Sequence, residues 1–159
     1  MDDLIVRLLP EPLDSIAAFR EFSESAQHGA SDGAIVTFTG KVRPVDKAGE
    51  AVDHLYLDWY PGMTEASMEA IAQAALSRFE VARVMVLHRC GQVQAGEDIV
   101  FVAAASVHRR AAFEAADYMM DRLKSEAAFW KRERGAGSER WIEPTDADQA
   151  DRKRWDNDR

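Results

Sequence analysis

Residues 99–125, IVFVAAASVHRRAAFEAADYMMDRLKS, decide the fold class of this chain. The run Ile99 to Ser106 is almost continuously apolar, which is typical of a strand buried in the middle of a sheet. From about Arg109 to Ser125, apolar residues recur at helical spacing, which predicts a long amphipathic helix. The predicted inner face of that helix carries Phe113, Ala116, Met120 and Leu123.

Further elements are predicted on both sides of this strand and helix. Strands are predicted at 4–9, 33–42, 55–60 and 81–89, and helices at 13–22 and after a capping Thr64. Residues 91–97 are predicted to be a connection, and FWKRER, GAGS and ERWIE to form a hairpin. Strands and helices alternate only partly. The predicted class is therefore α+β, with a mixed, largely antiparallel sheet and a C-terminal hairpin.

Composition indicates which segments of the chain are folded and which are mobile. Residues 1–143 are predicted to form one domain, and the charged segment 144–159 a partly disordered tail, frayed except where Trp155 finds a contact. The polar stretch Val45 to Glu50 is predicted to be a mobile loop. Phe38, inside a predicted strand, is expected in the core.

Charge and cysteine content narrow the function. The formal charge of −8 argues against nucleic acid as a partner. Neither a membrane span nor a signal peptide is recognisable. Cys90 is the only cysteine, which fits a reducing compartment and predicts a cytoplasmic protein. Basic residues nevertheless cluster at 108–110 and 122–134, and a basic spot on an acidic protein suggests a small anionic ligand.

The junction SVHRRAAFE, residues 106–114, is the first candidate site. Free backbone N–H groups and the positive end of the helix dipole meet there, and each arginine in the first turn costs about 0.3–1 kcal/mol. One interpretation is an anion held by His108 and Arg109. The alternative is that Arg110 pairs with Glu114 and Arg109 is solvated. We favour the alternative for Arg110 and the anion for Arg109.

Lys124 and Lys131 form the second candidate site. Lys124 lies in line with the apolar stripe, so it either snorkels out of the core edge or lines a pocket. Strand alternation puts Lys131 and Glu133 on one face, where they could converge with Lys124. Desolvation and neighbouring cations would then lower a lysine pKa and suit it to proton transfer or covalent chemistry. The alternative is a solvated, charged hairpin.

Other candidate ligand, metal and cofactor sites have weaker support in the sequence. Lys41 and Arg43 stand at a strand end beside the predicted loop, as ligand clamps do, although such residues are also common on any surface. The four histidines and single cysteine lack zinc spacing, and no phosphate-binding glycine loop is recognisable, so neither a metal nor a cofactor is expected. Cys90 is expected to be a buried residue at a strand end.

Four segments in order, GAIVTFTGKVR, LYLDWYPGMTE, GEDIVFVAAASVHR and LKSEAAFWKRE, resemble the catalytic subunit family of molybdopterin synthase over residues 30–143. The resemblance implies an α/β-hammerhead fold and a homodimer within a heterotetramer. Two small ubiquitin-like sulfur carriers would dock with their thiocarboxylated C-terminal Gly-Gly in a pocket. The implied activity is a sulfurtransferase reaction on cyclic pyranopterin monophosphate that forms the dithiolene of molybdopterin, in molybdenum cofactor biosynthesis.

The resemblance also implies site residues. Lys124 would be the principal catalytic residue with Lys131 supporting it, and substrate contacts would fall on Lys41, Val42, Arg43, His108, Arg109, Lys124, Lys131, Arg132 and Glu133. Family members often carry a proline before the FWK triplet, where Ala128 stands here. Two other functions are weighed: a non-catalytic anion-binding or scaffold protein of the same fold, and a phosphoesterase using His108 and Lys124.

Overall fold

The computed structural model describes residues 3–25, 32–127, 129–135, 138–142 and 144–156, with only the backbone described at 130–133 and 138–142. These ranges hold eight strands and four helices. In chain order they are β1 (Leu4–Leu9), α1 (Ser15–Glu24), β2 (Ala34–Lys41), β3 (His54–Trp59), α2 (Met63–Arg78), β4 (Arg83–Arg89), β5 (Gly91–Gln94), β6 (Asp98–Ser106), α3 (Arg109–Glu126), β7 (Phe129–Gly135), β8 (Ser138–Ile142) and α4 (Asp146–Lys153).

The strands form two sheets. The first sheet has the order β1-β4-β6-β2, in which β1 and β4 are parallel and the other neighbours antiparallel. The second sheet has the order β5-β3-β7-β8 and is antiparallel throughout the described strands. The predicted α+β class, with mixed but largely antiparallel pairing and the C-terminal hairpin β7–β8, is confirmed. The strands divide between two sheets because β3 pairs with β5 and β7 rather than with β2.

The first sheet is buried on both faces, which explains the apolar character of β4 and β6. Helices α2 and α3 cover one face, where Val86 and Val102 pack against Ile71 and Met119. Helix α1 covers the other face, and its Phe22 packs among Met85, Leu87, Phe101 and Ala103. The prediction that residues 99–106 form a central strand is confirmed, since β6 lies between β4 and β2.

A smaller core joins the second sheet to the first. Its buried members are Val42, Leu55, Leu57 and Val93. Ile99 of β6 and Phe129 of β7 pack against both this core and the α2/α3 core. The start of β7 therefore lies at the boundary between the two sheets.

Several local predictions were wrong. Phe38 and Phe113, both expected to face the core, are 43% and 59% exposed. Residues 91–94, expected to be a connection, form β5 because they pair with β3. Thr64 does not cap α2, since it lies inside the helix and is fully buried.

Two segments are more regular than their composition predicts. The stretch 45–50, expected to be mobile, is a closed turn in which Val45 bridges Ala51 and the Asp46 carboxylate accepts from two backbone N–H groups. The tail contains α4, whose N-terminus is capped when Thr145 accepts from the Asp148 N–H at 3.1 Å. Trp155 then packs edge-on against Phe79 and Tyr118.

Candidate functional site

The N-terminus of α3 is built on Ser106, the last residue of β6. The Ser106 hydroxyl is buried, donates to the Glu80 carbonyl at 2.7 Å and accepts from the His108 N–H at 3.2 Å. His108 is the N-cap residue of α3, but its imidazole makes no capping hydrogen bond. The ring therefore remains available to a ligand.

The two arginines that follow His108 are exposed. The ion pair expected between Arg110 and Glu114 is not formed, and neither Arg109 nor Arg110 contacts an acidic side chain in the part of the chain that the structure describes. Positive side chains thus stand at the positive end of the helix dipole without a local counter-charge, which suits an anion. This end of α3 is called the α3 N-terminal cluster, consisting of His108, Arg109 and Arg110.

A second group of cations lies at the other end of α3. Because α3 follows β6 after two residues and packs back against it, its last turn returns to the end of the sheet where β6 begins. There Lys41, at the end of β2, pairs with Asp98 at the start of β6, and its Nζ lies 2.5 Å from the Asp98 carboxylate. Burial alone would raise the pKa of Asp98, but hydrogen bonds from Lys41 and Ser15 and the Lys41 charge hold it below its ordinary value.

Val42 and Arg43 continue this strand end in different ways. The Val42 side chain is buried in the small core, and its backbone N–H and carbonyl bond to Glu97 and Gly96. Arg43 is exposed and forms no hydrogen bond or ion pair with any described residue. Val42 thus anchors the strand end, and Arg43 presents an exposed guanidinium beside it.

Lys124 lies in the last turn of α3 and its side chain is half exposed. Its Nζ is 3.5 Å from the Asp148 carboxylate of α4, so the ammonium points toward another element of the same chain. Burial alone would raise the pKa of Asp148, but hydrogen bonds from Thr145 and the Lys124 charge leave it below its ordinary value. The acidic partner of Lys124 therefore comes from the predicted tail.

Strand β7 begins three residues after α3 ends and returns Lys131 to the neighbourhood of that helix end. In the register with β3, Lys131 lies opposite Leu57, Arg132 opposite Tyr56 and Glu133 opposite Leu55. The side chains of these three predicted site residues lie outside the described part of the structure.

The predicted site residues consequently form two groups. Lys41, Val42, Arg43, Lys124 and the backbone of 131–133 belong to one end of the molecule, here called the Lys124 end. His108 and Arg109 lie at the opposite end of α3. Fifteen residues separate Arg109 from Lys124, which at 1.5 Å per residue is about 22 Å along the helix. One chain alone does not gather all of the predicted residues around one ligand.

Sequence reasoning missed two residues near the Lys124 end. Asp148 had no predicted role, although Thr145 followed by an acid three residues later is a capping-box pattern that signals a helix. His88 had no predicted role either, yet its buried ring stacks on Phe129 with centroids 4.2 Å apart. No local pattern reveals that stacking, because the two residues are 41 positions apart.

The structure gives no support for a reactive thiol at Cys90, and the described residues show neither a metal site nor a membrane-spanning helix. Cys90 is buried as predicted, and burial raises the pKa of its thiol despite the nearby Arg89 charge. No cluster of three or more histidine, cysteine or acidic side chains suited to a metal occurs among the described residues. Within the same ranges, no helix combines the length and apolar character required to cross a bilayer.

These features define a class: an α+β protein of two sheets with exposed cations at both ends of one long helix and, among the described residues, no metal cluster. The sequence model of the MoaE protein family matches residues 10–126. The chain therefore belongs to the MoaE protein family, and the family predicted from the sequence is confirmed.

Individual relatives agree with this assignment. The chain is 45% identical over 155 residues to the molybdopterin synthase catalytic subunit of Pasteurella multocida, covering 98% of this chain and 100% of that protein. Its fold is similar to molybdopterin cofactor biosynthesis protein E from Burkholderia multivorans, with a TM-score of 0.77, 32% identity, and coverage of 98% and 99%. A complex of subunits 1 and 2 of the molybdopterin-converting factor from Helicobacter pylori contains a chain of the same fold, with a TM-score of 0.71, 20% identity, and coverage of 86% and 89%.

Proposed function

We propose that this protein is the catalytic subunit of a molybdopterin synthase, a sulfurtransferase of molybdenum cofactor biosynthesis. In the proposed reaction, sulfur passes from the thiocarboxylated C-terminal Gly-Gly of a small ubiquitin-like carrier to cyclic pyranopterin monophosphate. Two transfers form the dithiolene of molybdopterin. The observation that carries the proposal is the likeness, over nearly the whole chain, to a relative named molybdopterin synthase catalytic subunit.

The charges of the described residues suit this chemistry. Both reactants are anionic, and the chain presents Arg43 without a described partner and Lys124 with only a long, half-exposed ion pair. Cations at such positions offset the phosphate and the thiocarboxylate and stabilise the negative charge that builds up during transfer. The buried Cys90 thiol, with its raised pKa, is poorly suited to donate sulfur, so an external donor fits the chain better.

The proposed roles are those that the family resemblance implies. Lys124 is the principal catalytic residue, acting on protons at the reacting carbon, and Lys131 supports it. Lys41, Arg43, Arg132 and Glu133 are proposed to contact the precursor, and Val42 holds the strand end that carries Lys41 and Arg43. In each transfer the carrier loses its sulfur and ends as a carboxylate, with water supplying the replacing oxygen. Opening of the cyclic phosphate leaves a terminal phosphate monoester for nearby cations to bind.

The two ends of α3 call for a second copy of the chain. We propose a homodimer in which the α3 N-terminal cluster of one protomer completes the Lys124 end of its partner. A carrier bound to each protomer makes the proposed assembly a heterotetramer; the Helicobacter pylori structure that contains the same fold is a complex of subunits 1 and 2 of a molybdopterin-converting factor. A cytoplasmic location is part of the proposal, supported by a single cysteine that needs no oxidising compartment.

The test is conversion of purified precursor by the purified chain with thiocarboxylated carrier, followed by analysis for the two-sulfur product. Lys124→Ala is expected to abolish conversion while the protein stays folded. Lys153→Ala removes an exposed lysine of α4 and is the matched control, with conversion expected at the wild-type level. Normal turnover by Lys124→Ala would remove Lys124 from the mechanism.

The same assay separates the rival functions. A scaffold protein of this fold would bind the carrier or the precursor and form no product. A phosphoesterase would open the cyclic phosphate when the sulfur donor is omitted. Either outcome, obtained with the wild-type chain, would overturn the proposal.

A further inference from the structure

The connection between α3 and β7 sets the distance between the two proposed catalytic lysines. Lys124 lies five residues before Phe129, and Lys131 lies two residues after it. The chain leaves α3 at Ala127 in an extended conformation, and the Phe129 N–H donates to the Ala127 carbonyl at 2.8 Å. A contact that holds Phe129 therefore fixes the chain at a point between the two lysines.

Phe129 is held by a histidine from the other sheet. The His88 ring of β4 stacks on the Phe129 ring, with centroids 4.2 Å apart and planes 26° from parallel. Aromatic rings in contact prefer a small set of mutual orientations, so the stacking favours one orientation of the Phe129 ring. The stacking thus ties the first residue of β7, in the second sheet, to a strand of the first sheet.

His88 is itself firmly anchored. It is 5% exposed and its Nδ1 lies 2.7 Å from the Arg89 carbonyl. Because a carbonyl oxygen only accepts, Nδ1 carries a proton and donates it. Arg89 in turn is buried and donates to the carbonyls of Leu9 and Gln92, so the backbone that receives the His88 hydrogen bond is itself well fixed.

We propose that the stacked pair of His88 and Phe129 positions the sulfur-transfer site by fixing the turn between Lys124 and Lys131. Neither residue contacts substrate in this proposal, so both are positioning residues and act through the lysines. The inference rests on the proposed function for its activity readout, but the position of the turn can be measured without activity.

Removal of either ring tests the proposal. His88→Leu and Phe129→Leu keep apolar bulk but lose the flat contact. We expect kcat for two-sulfur product to fall by roughly tenfold or more, because small displacements of catalytic groups are costly, while KM for precursor and affinity for carrier change little. His88→Phe, which keeps a flat ring, is expected to recover most of the lost kcat.

Phe101→Leu is the matched control, since Phe101 is buried on the opposite face of the first sheet, which α1 covers. It is expected to lower stability and leave kcat unchanged.

Amide hydrogen exchange across residues 124–131 gives the readout that does not depend on activity. Exchange is expected to accelerate in the two leucine variants, and not in Phe101→Leu. Leucine variants with wild-type kcat, or with unchanged exchange in this segment, would overturn the positioning role. A wild-type chain that forms no product would instead overturn the proposed function, and the exchange data would still decide whether the stacked pair fixes the turn.

Discussion

Arg109 and Lys124 belong to one helix and lie about 22 Å apart along its axis. The helix runs unbroken between them and is packed against the first sheet, so no change of side-chain rotamer closes that distance. A small precursor that contacts both residues must therefore lie between two copies of the chain. The proposed activity then requires the dimer, and a monomer would be inactive.

Mixed dimers test this arrangement directly. Lys124→Ala and Arg109→Ala are each expected to be nearly inactive as homodimers. When the two variants are unfolded together and refolded in equal amounts, half of the dimers are mixed, and each mixed dimer regains one intact site of two. The expected activity is about a quarter of the wild-type activity, measured as product formed per total protein.

The control for this experiment is a mixture of the two variants without refolding, which keeps the original dimers if subunit exchange is slow. No recovery after complete refolding would show that both residues act within one chain, and an active Arg109→Ala homodimer would show that Arg109 has no role.

Gly33→Ala is expected to disturb the α3 N-terminal cluster from a distance. The Gly33 N–H donates to the Ser106 carbonyl at 2.9 Å, and a Cβ on Gly33 would lie 2.0 Å from the Val107 carbonyl oxygen. Backbone must therefore shift next to His108, at a cost of about 1–3 kcal/mol in the free energy of unfolding. KM for precursor should rise more than kcat falls. Steady-state kinetics and urea unfolding measure the two effects, and an unchanged KM would contradict the expectation.

Trp155→Ala is expected to release α4 from α3. The Trp155 ring packs edge-on against Phe79 and Tyr118, and its Nε1 donates to the buried Asp121 carboxylate at 2.7 Å. Loss of these contacts should lower the free energy of unfolding by about 1–3 kcal/mol and expose the basic residues of α4 to trypsin. Ile16→Ala, which removes a side chain that is 77% exposed, should change stability by less than about 0.5 kcal/mol. Equal trypsin sensitivity in the two variants would refute the docking role of Trp155.

Acid is expected to weaken the packing of α4 against α3. For Glu126, burial alone would raise the pKa, but hydrogen bonds from Arg152 and Arg122 hold it below the ordinary 4.5. The pKa of Asp148 is likewise below the ordinary 3.8. A carboxyl whose pKa is lowered by folding stabilises the native state above its unfolded pKa, and this contribution is lost as pH falls through the lower native pKa.

The contribution of Glu126 and Asp148 to the free energy of unfolding is therefore expected to be constant above about pH 5. It should decline as the pH falls below about 4. Urea unfolding between pH 7 and pH 3 measures the decline. Glu126→Gln should be less stable than wild type at pH 7 and should lose less stability on acidification. Parallel curves for the two proteins would show that Glu126 contributes nothing to the acid response.

Local pattern was sufficient for most elements of this fold. The apolar run of β6 reflects burial of a strand on both faces, and the apolar spacing of α3 reflects burial of a helix on one face. Both patterns can be recognised from residues that are close together in the sequence. Phe113 and Phe38 show where this reasoning stops. Each is apolar at a position of correct periodicity, yet each is exposed because no described element covers it.

The tail makes contacts that its composition does not reveal. Besides Trp155, Arg152 and Arg154 meet Glu126, Asp117 and Asp121 on α3. A charged segment orders when its partners are supplied by a distant element, and composition does not report those partners.

The α+β class, the family and the cationic residues at both ends of α3 could be predicted, because they depend on residue type and on spacing along the chain. Three relationships appear only in the folded chain: Asp148 faces Lys124, His88 stacks on Phe129, and one continuous helix holds Arg109 away from Lys124. Such relationships arise from packing between segments far apart in the chain, where the distance in space bears no fixed relation to the distance in sequence.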